Sequence, residues 1–195
     1  STVVGGLDRL EAYLADGANP IPDAALVALG TNDSRSKLAL ETVETKLHGI
    51  MDLLDQHEVA TLLAGSRAEW SDGYHGYQTA AQADAFTQIF ADEAAEHGAG
   101  YYADILKAVY DAGADVYTSD DVHPTPEGNA LILDDLFDEI EALLEPFGRG
   151  DGDPLALAQG TVSLWFAADD LSGRQGLLSK DAAGYGEGGD VSLYL

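Results

Sequence analysis

The sequence has no cysteine and a single methionine in 195 residues. Without cysteine there is no disulfide, no thiolate nucleophile and no thiolate metal site. Cations are scarce too: 9 lysines and arginines stand against 35 aspartates and glutamates, a net charge of −26. The excess runs along the whole chain rather than forming an acidic tail. Such a surface repels nucleic acid and anionic membranes and suits a salty or calcium-containing medium. No run is long and apolar enough to span a bilayer. No signal peptide is visible and the first residue is Ser1, so the termini read as cut. What the chain does have is apolar residues, 46% of the total. They suffice for the core of one full domain, or of one domain and part of another.

The chain is organised around residues 23–34, DAALVALGTNDS. Residues 24–29 form a short, almost wholly apolar run, the pattern of a strand buried on both faces in a parallel sheet. The run ends on Gly30, Thr31, Asn32, Asp33 and Ser34. In open α/β sheets ligands bind beyond the carboxyl ends of the strands. Gly30 permits a sharp turn there, and Asn32 can aim an amide N–H into the crevice. The plainer reading is a strand-ending turn, because Gly, Asn, Asp and Ser dominate turns anyway.

Residues 1–6 read as a loop or strand remnant, and 7–16 as an amphipathic helix through Leu7, Leu10 and Leu14. A long helix is expected over about 37–56, a second buried strand over 59–64, and a polar loop over 66–79 with Trp70, Tyr74, His75 and Tyr77. Those aromatics line an acyl or aryl pocket or form a lid packed on itself. Further on, a helix over 80–97, a strand over 101–105, a short helical or irregular segment over 106–114 and a final helix over 126–144 complete an alternating pattern. That alternation implies βαβ units with helices on both faces of a parallel sheet. A Gly/Asp/Pro-rich linker follows at 148–154. Residues 161–167 and 190–195 alternate as antiparallel strands do, so 155–195 reads as the start of a truncated β-sandwich.

A second constellation, residues 119–129, reads SDDVHPTPEGN. Asp120 stands three residues before His123, a spacing that lets the carboxylate accept the ring N–H of that histidine. This leaves the other ring nitrogen as a base, and Pro124 holds His123 extended. The alternative is a solvated loop histidine near a helix N-cap. His48, His57, His75 and His97 are assigned no role, and no metal site or cofactor is expected.

GTND after a buried strand, followed by DxxHP before a C-terminal helix, resembles the SGNH (GDSL-type) hydrolase family, closest to its arylesterase, thioesterase and lysophospholipase branch. The resemblance runs from about residue 7 to 147 and places the domain at 1–147. It implies a flavodoxin-like three-layer αβα sandwich with a parallel sheet. It also implies His123 as general base, Asp120 as orienting acid, and Asn32 and Gly30 in the oxyanion hole. The reaction would be serine-type hydrolysis of a carboxylic ester, on a small ester or acyl substrate. Short esters, thioesters, lysophospholipids and acetylated sugars all remain open. The chain has no Gly-Asp-Ser block. Its first strand, nucleophile and second oxyanion glycine are therefore expected to be missing, with Gly5 and Gly6 lying too late to supply that glycine. Ser1, Ser34, Ser66 and Ser119 do not replace the nucleophile, so the fragment itself is expected to be inactive.

The tail resembles the start of a laminin-G or concanavalin-A-like sandwich, which implies glycan or calcium binding. Asp169 and Asp170 are calcium ligands or, by the preferred reading, a solvated turn. Trp165 reads as core rather than a sugar platform. The alternative function is thus a non-catalytic adhesion or glycan-binding protein with a degenerate hydrolase domain. The acidity, absent cysteine and lectin-like tail together suggest an extracellular or periplasmic location.

Overall fold

A computed structural model describes residues 2–68, 76–117 and 123–147, together with the backbone of three strands beyond them. The residues group into two compact units, Ser1–Ile105 with Gly160–Ala167, and Leu106–Gln159 with Ala168–Leu195.

The first unit is built on a parallel sheet. Its strands β1 (Ala24–Ala28), β2 (Ala60–Ala64), β3 (Gly100–Tyr102) and β4 (Val162–Trp165) lie in the order β3-β2-β1-β4. β1 pairs in register with β2, Ala24 opposite Ala60, and with β4, Ala24 opposite Val162. The alternating sequence around 161–167 predicts an antiparallel partner, yet β4 joins the parallel sheet. Period-two alternation identifies a half-buried strand without choosing its direction. In the second unit, β5 (Gly176–Ser179) and β6 (Ser192–Tyr194) do pair antiparallel.

Helices α1 (Val3–Ala15), α3 (Leu40–Gln56) and α4 (Ala80–Glu96) pack onto one face of this sheet. Ala25 and Val27 of β1 and Leu63 of β2 meet Leu7 and Leu10 of α1, Leu47, Ile50 and Met51 of α3, and Phe86 and Phe90 of α4. Ala24, Leu26 and Leu62 point to the other face and are buried as well. Burial on both faces explains why these strands are continuous apolar runs rather than alternating ones. Each fully buried Leu or Phe contributes about 1.5–3 kcal/mol.

The start of α1 departs from expectation. Residues 3–6 are helical rather than loop, despite two adjacent glycines that disfavour a helix by about 1 kcal/mol each. Two interactions compensate. The Thr2 hydroxyl caps the helix by accepting the Gly5 N–H at 3.2 Å, and the carboxylate of Asp33 accepts the Val3 N–H at 3.0 and 3.2 Å. Gly6 also has a packing reason: a Cβ there would lie 2.5 Å from Leu29 Cδ1. Gly5 and Gly6 are thus helix residues, with Gly6 against Leu29 just past the end of β1.

The long helix expected over 37–56 is α3, which starts three residues later at Leu40, and the turn before it holds a short helix that was not expected. A short helix, α2 (Thr31–Arg35), follows β1, and Lys37 at φ 57° breaks the chain before α3 begins. In the second unit α5 (Lys107–Tyr117) breaks at Gly113 and packs against α6 (Pro126–Leu144). α6 is capped by Thr125, whose hydroxyl accepts the Gly128 N–H at 3.1 Å, with Pro126 in its first turn. Among the described residues no helix is long and apolar enough to cross a membrane.

Tyr77, grouped by sequence with Trp70 and Tyr74 as a pocket or lid residue, is 4% exposed and lies in the core. Its ring packs 5.5 Å from Phe86, and its hydroxyl donates to the Leu38 carbonyl at 2.8 Å. Burial, and secondarily the charge of Asp33, pushes its pKa up to about 12. A raised acid pKa means that the folded state holds the phenol proton more tightly than the unfolded chain. This contribution is complete below about pH 10 and disappears as pH rises to about 12. Tyr77→Phe should cost about 1 kcal/mol in urea unfolding at neutral pH, and its deficit against wild type should shrink as pH is raised through that window. An unchanging deficit would place the phenol in contact with solvent.

Candidate active site

The turn after β1 is set by Gly30, at φ 111° and ψ −26°, a left-handed conformation that favours glycine. Space excludes a side chain as well, because a Cβ at Gly30 would lie 2.6 Å from Phe90 Cζ and 3.2 Å from Phe86 Cζ. The chain therefore leaves the strand, presses its backbone onto two core aromatics, and turns directly into α2.

The side chains of α2 divide by direction. Thr31 donates to or accepts from Ser66 at 2.9 Å, joining the carboxyl ends of the adjacent strands β1 and β2. Asp33 is fully buried and turns back to the start of α1. Burial raises its pKa, with the bond from Val3 acting in the opposite direction. Ser34 is buried beneath the turn. Asn32 is half-buried, and its amide forms no hydrogen bond among the described residues. Its backbone carbonyl is engaged, accepting the Ser36 N–H at 3.0 Å and the Ser36 hydroxyl at 2.7 Å. The backbone of Asn32 is thus tied down while its amide can donate to a ligand, which is what a preorganised oxyanion donor requires.

Gly30 and Asn32 share this one turn. His123 belongs to the second unit, where it is exposed and lies two residues before the N-cap of α6. Asp120, Trp70, Tyr74, Asp169 and Asp170 lie outside the described residues, and Trp165 is described only as part of the β4 backbone. Sequence reasoning assigned no task to Asp33, although its place inside GTND was visible. The second strand end also carries polar chemistry, with Arg67 Nε 2.9 Å from a carboxylate oxygen of the buried Asp104. Ser66, set aside as a nucleophile because it follows the wrong strand, is 2% exposed and engaged with Thr31.

Asp33→Ala should destabilise the chain by about 2 kcal/mol, because the Val3 N–H then lacks its acceptor. Asp33→Asn keeps an acceptor and should recover most of that loss in urea unfolding at neutral pH. Equal losses for the two variants would show that the charge, rather than the acceptor, holds α1 in place.

Comparison with known proteins agrees with this architecture. No curated protein matches the chain. Among solved structures, TesA superposes with a TM-score of 0.62 at 22% identity, over 74% of each chain. The psychrotrophic esterase EstA from Pseudoalteromonas sp. gives 0.61 at 22% identity, over 74% of this chain and 73% of that one. AlinE4, an SGNH-hydrolase family esterase, gives 0.53 at 27% identity, over 74% and 72%. These likenesses share the α/β fold with its parallel sheet and flanking helices. The family model of the GDSL-like lipase/acylhydrolases matches residues 1–131, about two thirds of the 195-residue chain. The chain therefore belongs to the GDSL-like lipase/acylhydrolase family, and its general chemistry is that of an ester or acyl hydrolase.

Proposed function

We propose that the chain is the body of a serine-type carboxylic-ester hydrolase of the arylesterase, thioesterase and lysophospholipase branch. In this reading the Asn32 amide donates to the oxyanion. Gly30 sets the turn that presents it, and His123 takes the proton from the attacking serine. Asp120 orients the imidazole through its other ring nitrogen. The observation that carries the reading is the left-handed glycine turn at the carboxyl end of β1, after which the backbone of Asn32 is tied down while its amide makes no hydrogen bond among the described residues. The esterase AlinE4, the most similar in sequence of the three relatives named above, supports an ester as the substrate class.

The nucleophile is the exception. No Gly-Asp-Ser block occurs in these 195 residues, and the second reading, which rests on the likeness of the tail to a lectin-type sandwich, is a non-catalytic adhesion or glycan-binding protein that keeps the hydrolase scaffold. Its tail would then bind glycan or calcium. Both readings suit an extracellular or periplasmic location, supported by the net charge of −26 and the lack of cysteine.

The deciding experiment expresses the chain with whatever coding sequence precedes Ser1 and assays p-nitrophenyl acetate and butyrate. The hydrolase reading expects a Gly-Asp-Ser segment there and clear turnover. His123→Ala should lower kcat by about 100-fold or more. Asn32→Ala should lower it by about 100- to 1,000-fold with little change in KM. The 195-residue chain alone should hydrolyse neither ester above the buffer rate. A segment without that serine, joined to an inert protein, would transfer the assignment to the second reading.

A further inference from the structure

The C-terminal ends of α3 and α4 lie side by side, with Asp55 in the last turn of α3 against His97, the C-cap of α4. Two negative helix ends meet here. Asp52, Asp55, Glu93 and Glu96 add carboxylates to the same spot in a protein that already carries a large negative charge. Packing of α3 on α4 thus concentrates negative potential where a cation would relieve it.

The side chains at this point form a ligand set. His48 Nδ1 lies 3.0 Å from Glu93 Oε2, His97 Nε2 lies 3.5 Å from the same oxygen, and the two ring nitrogens are 3.4 Å apart. A tetrahedral ion with ligands at about 2.0–2.1 Å holds those ligands about 3.3–3.4 Å from one another. The three atoms therefore already outline one face of such a coordination shell. The Glu93 and His97 side chains are only 7% and 6% exposed, so two of the three ligands are fixed by packing.

The far side of the His97 ring fits as well, and a carboxylate stands near that of His48. His97 Nδ1 is 2.6 Å from Asp55 Oδ2, and His48 Nε2 is 3.6 Å from Asp52 Oδ2. Metal-bound histidines ordinarily donate their second ring N–H to a carboxylate or carbonyl, which fixes the tautomer and aims the free lone pair at the metal. With its proton held on Nδ1 by Asp55, His97 turns the Nε2 lone pair toward Glu93, while the hydrogen bond between His48 Nδ1 and Glu93 occupies the place that a metal ion would take on deprotonation. Glu96, exposed at the rim, offers a carboxylate within 4.8 Å of the His48 and Glu93 ligand atoms, and this or a water can complete the shell.

We propose that His48, Glu93 and His97 bind a divalent transition-metal ion, zinc by their nitrogen and carboxylate chemistry, as a clasp between α3 and α4. Hard cations such as calcium and magnesium prefer all-oxygen shells and are excluded by the two imidazoles. The competing occupant is the proton. Hydrogen bonding to Glu93 raises the His48 pKa, and a protonated imidazole would satisfy the same carboxylate.

The test titrates zinc into the metal-stripped full chain against a chromophoric chelator, with magnesium in excess to cover the acidic surface. The expected result is one zinc per chain with a sub-micromolar dissociation constant and a melting temperature raised by zinc but not by magnesium. Cobalt(II) in its place should give the intense visible bands of a tetrahedral site. His48→Gln and Glu93→Gln should each weaken binding by about 100-fold or more. Asp55→Asn alters a half-exposed side chain and should leave the fold intact, yet it should weaken binding about 10- to 100-fold through His97. If a ligand variant fails to fold, the wild-type cobalt spectrum and Asp55→Asn still decide the matter. Zinc binding no tighter than magnesium binding, weak octahedral cobalt bands, or an affinity that Asp55→Asn leaves unchanged would assign the cluster to a proton-held ion-pair network instead.

Discussion

The contact between the Gly30 backbone and the rings of Phe86 and Phe90 is the constraint on which the candidate site depends. Those rings lie 5.2 Å apart in the centre of the core, and the turn sits directly on them. A core at crystal-like density cannot yield to admit a side chain at that point. The chain is therefore forced through the left-handed region, and α2 starts in one direction only. Asn32 inherits its placement from the packing of α4, an element some fifty residues further along the chain. Asp33 adds a second tether, binding the same turn to the first residue of α1. The turn that carries Asn32 is thus held from two sides, by the core aromatics and by α1.

The α3–α4 pair shows a different use of the same scaffold. Its buried side contributes Val43, Leu47, Ile50, Phe86 and Phe90 to the core, while its outer edge gathers histidines and carboxylates. One surface is governed by apolar area and the other by charge. In a chain with so few lysines and arginines, the anionic helix ends have few cations of the protein's own to turn to. His48 and His97 are the side chains that face those carboxylates.

The elements legible in the sequence were those with a local cause. β1 and β2 showed as short, almost wholly apolar runs, and α4 and α6 follow Thr79 and Thr125, whose hydroxyls cap them. The turn at Gly30 was legible because glycine marks the point where a chain leaving a buried strand takes a positive φ, whereas Asn32 was there equally an ordinary turn residue. Features with a distant cause were hidden. The extension of α1 to Val3 rests on Asp33, thirty residues away, and the burial of Tyr77 rests on Leu38 and Phe86. The break at Lys37 gave no warning, since lysine rarely adopts positive φ. The histidine cluster left a faint trace, His48 with Asp52 and Glu93 with His97 at four-residue spacing. Only the packing of α3 on α4 joins the two pairs.

The pairing of β1 with β4 also bears on how the sheet is assembled. β1 and β2 are linked by a single crossover, whereas β4 returns to β1 from far along the chain. Closing so large a loop costs more entropy than local pairing and slows the step that requires it. The β1–β2 pair with its helices can form early, and β4 then docks onto a preformed edge. Until it does, β1 presents a row of unpaired backbone groups with strongly apolar side chains on both faces, the combination most prone to recruit a strand from another molecule. Arrival of β4 thus protects the chain from self-association as much as it completes the sheet.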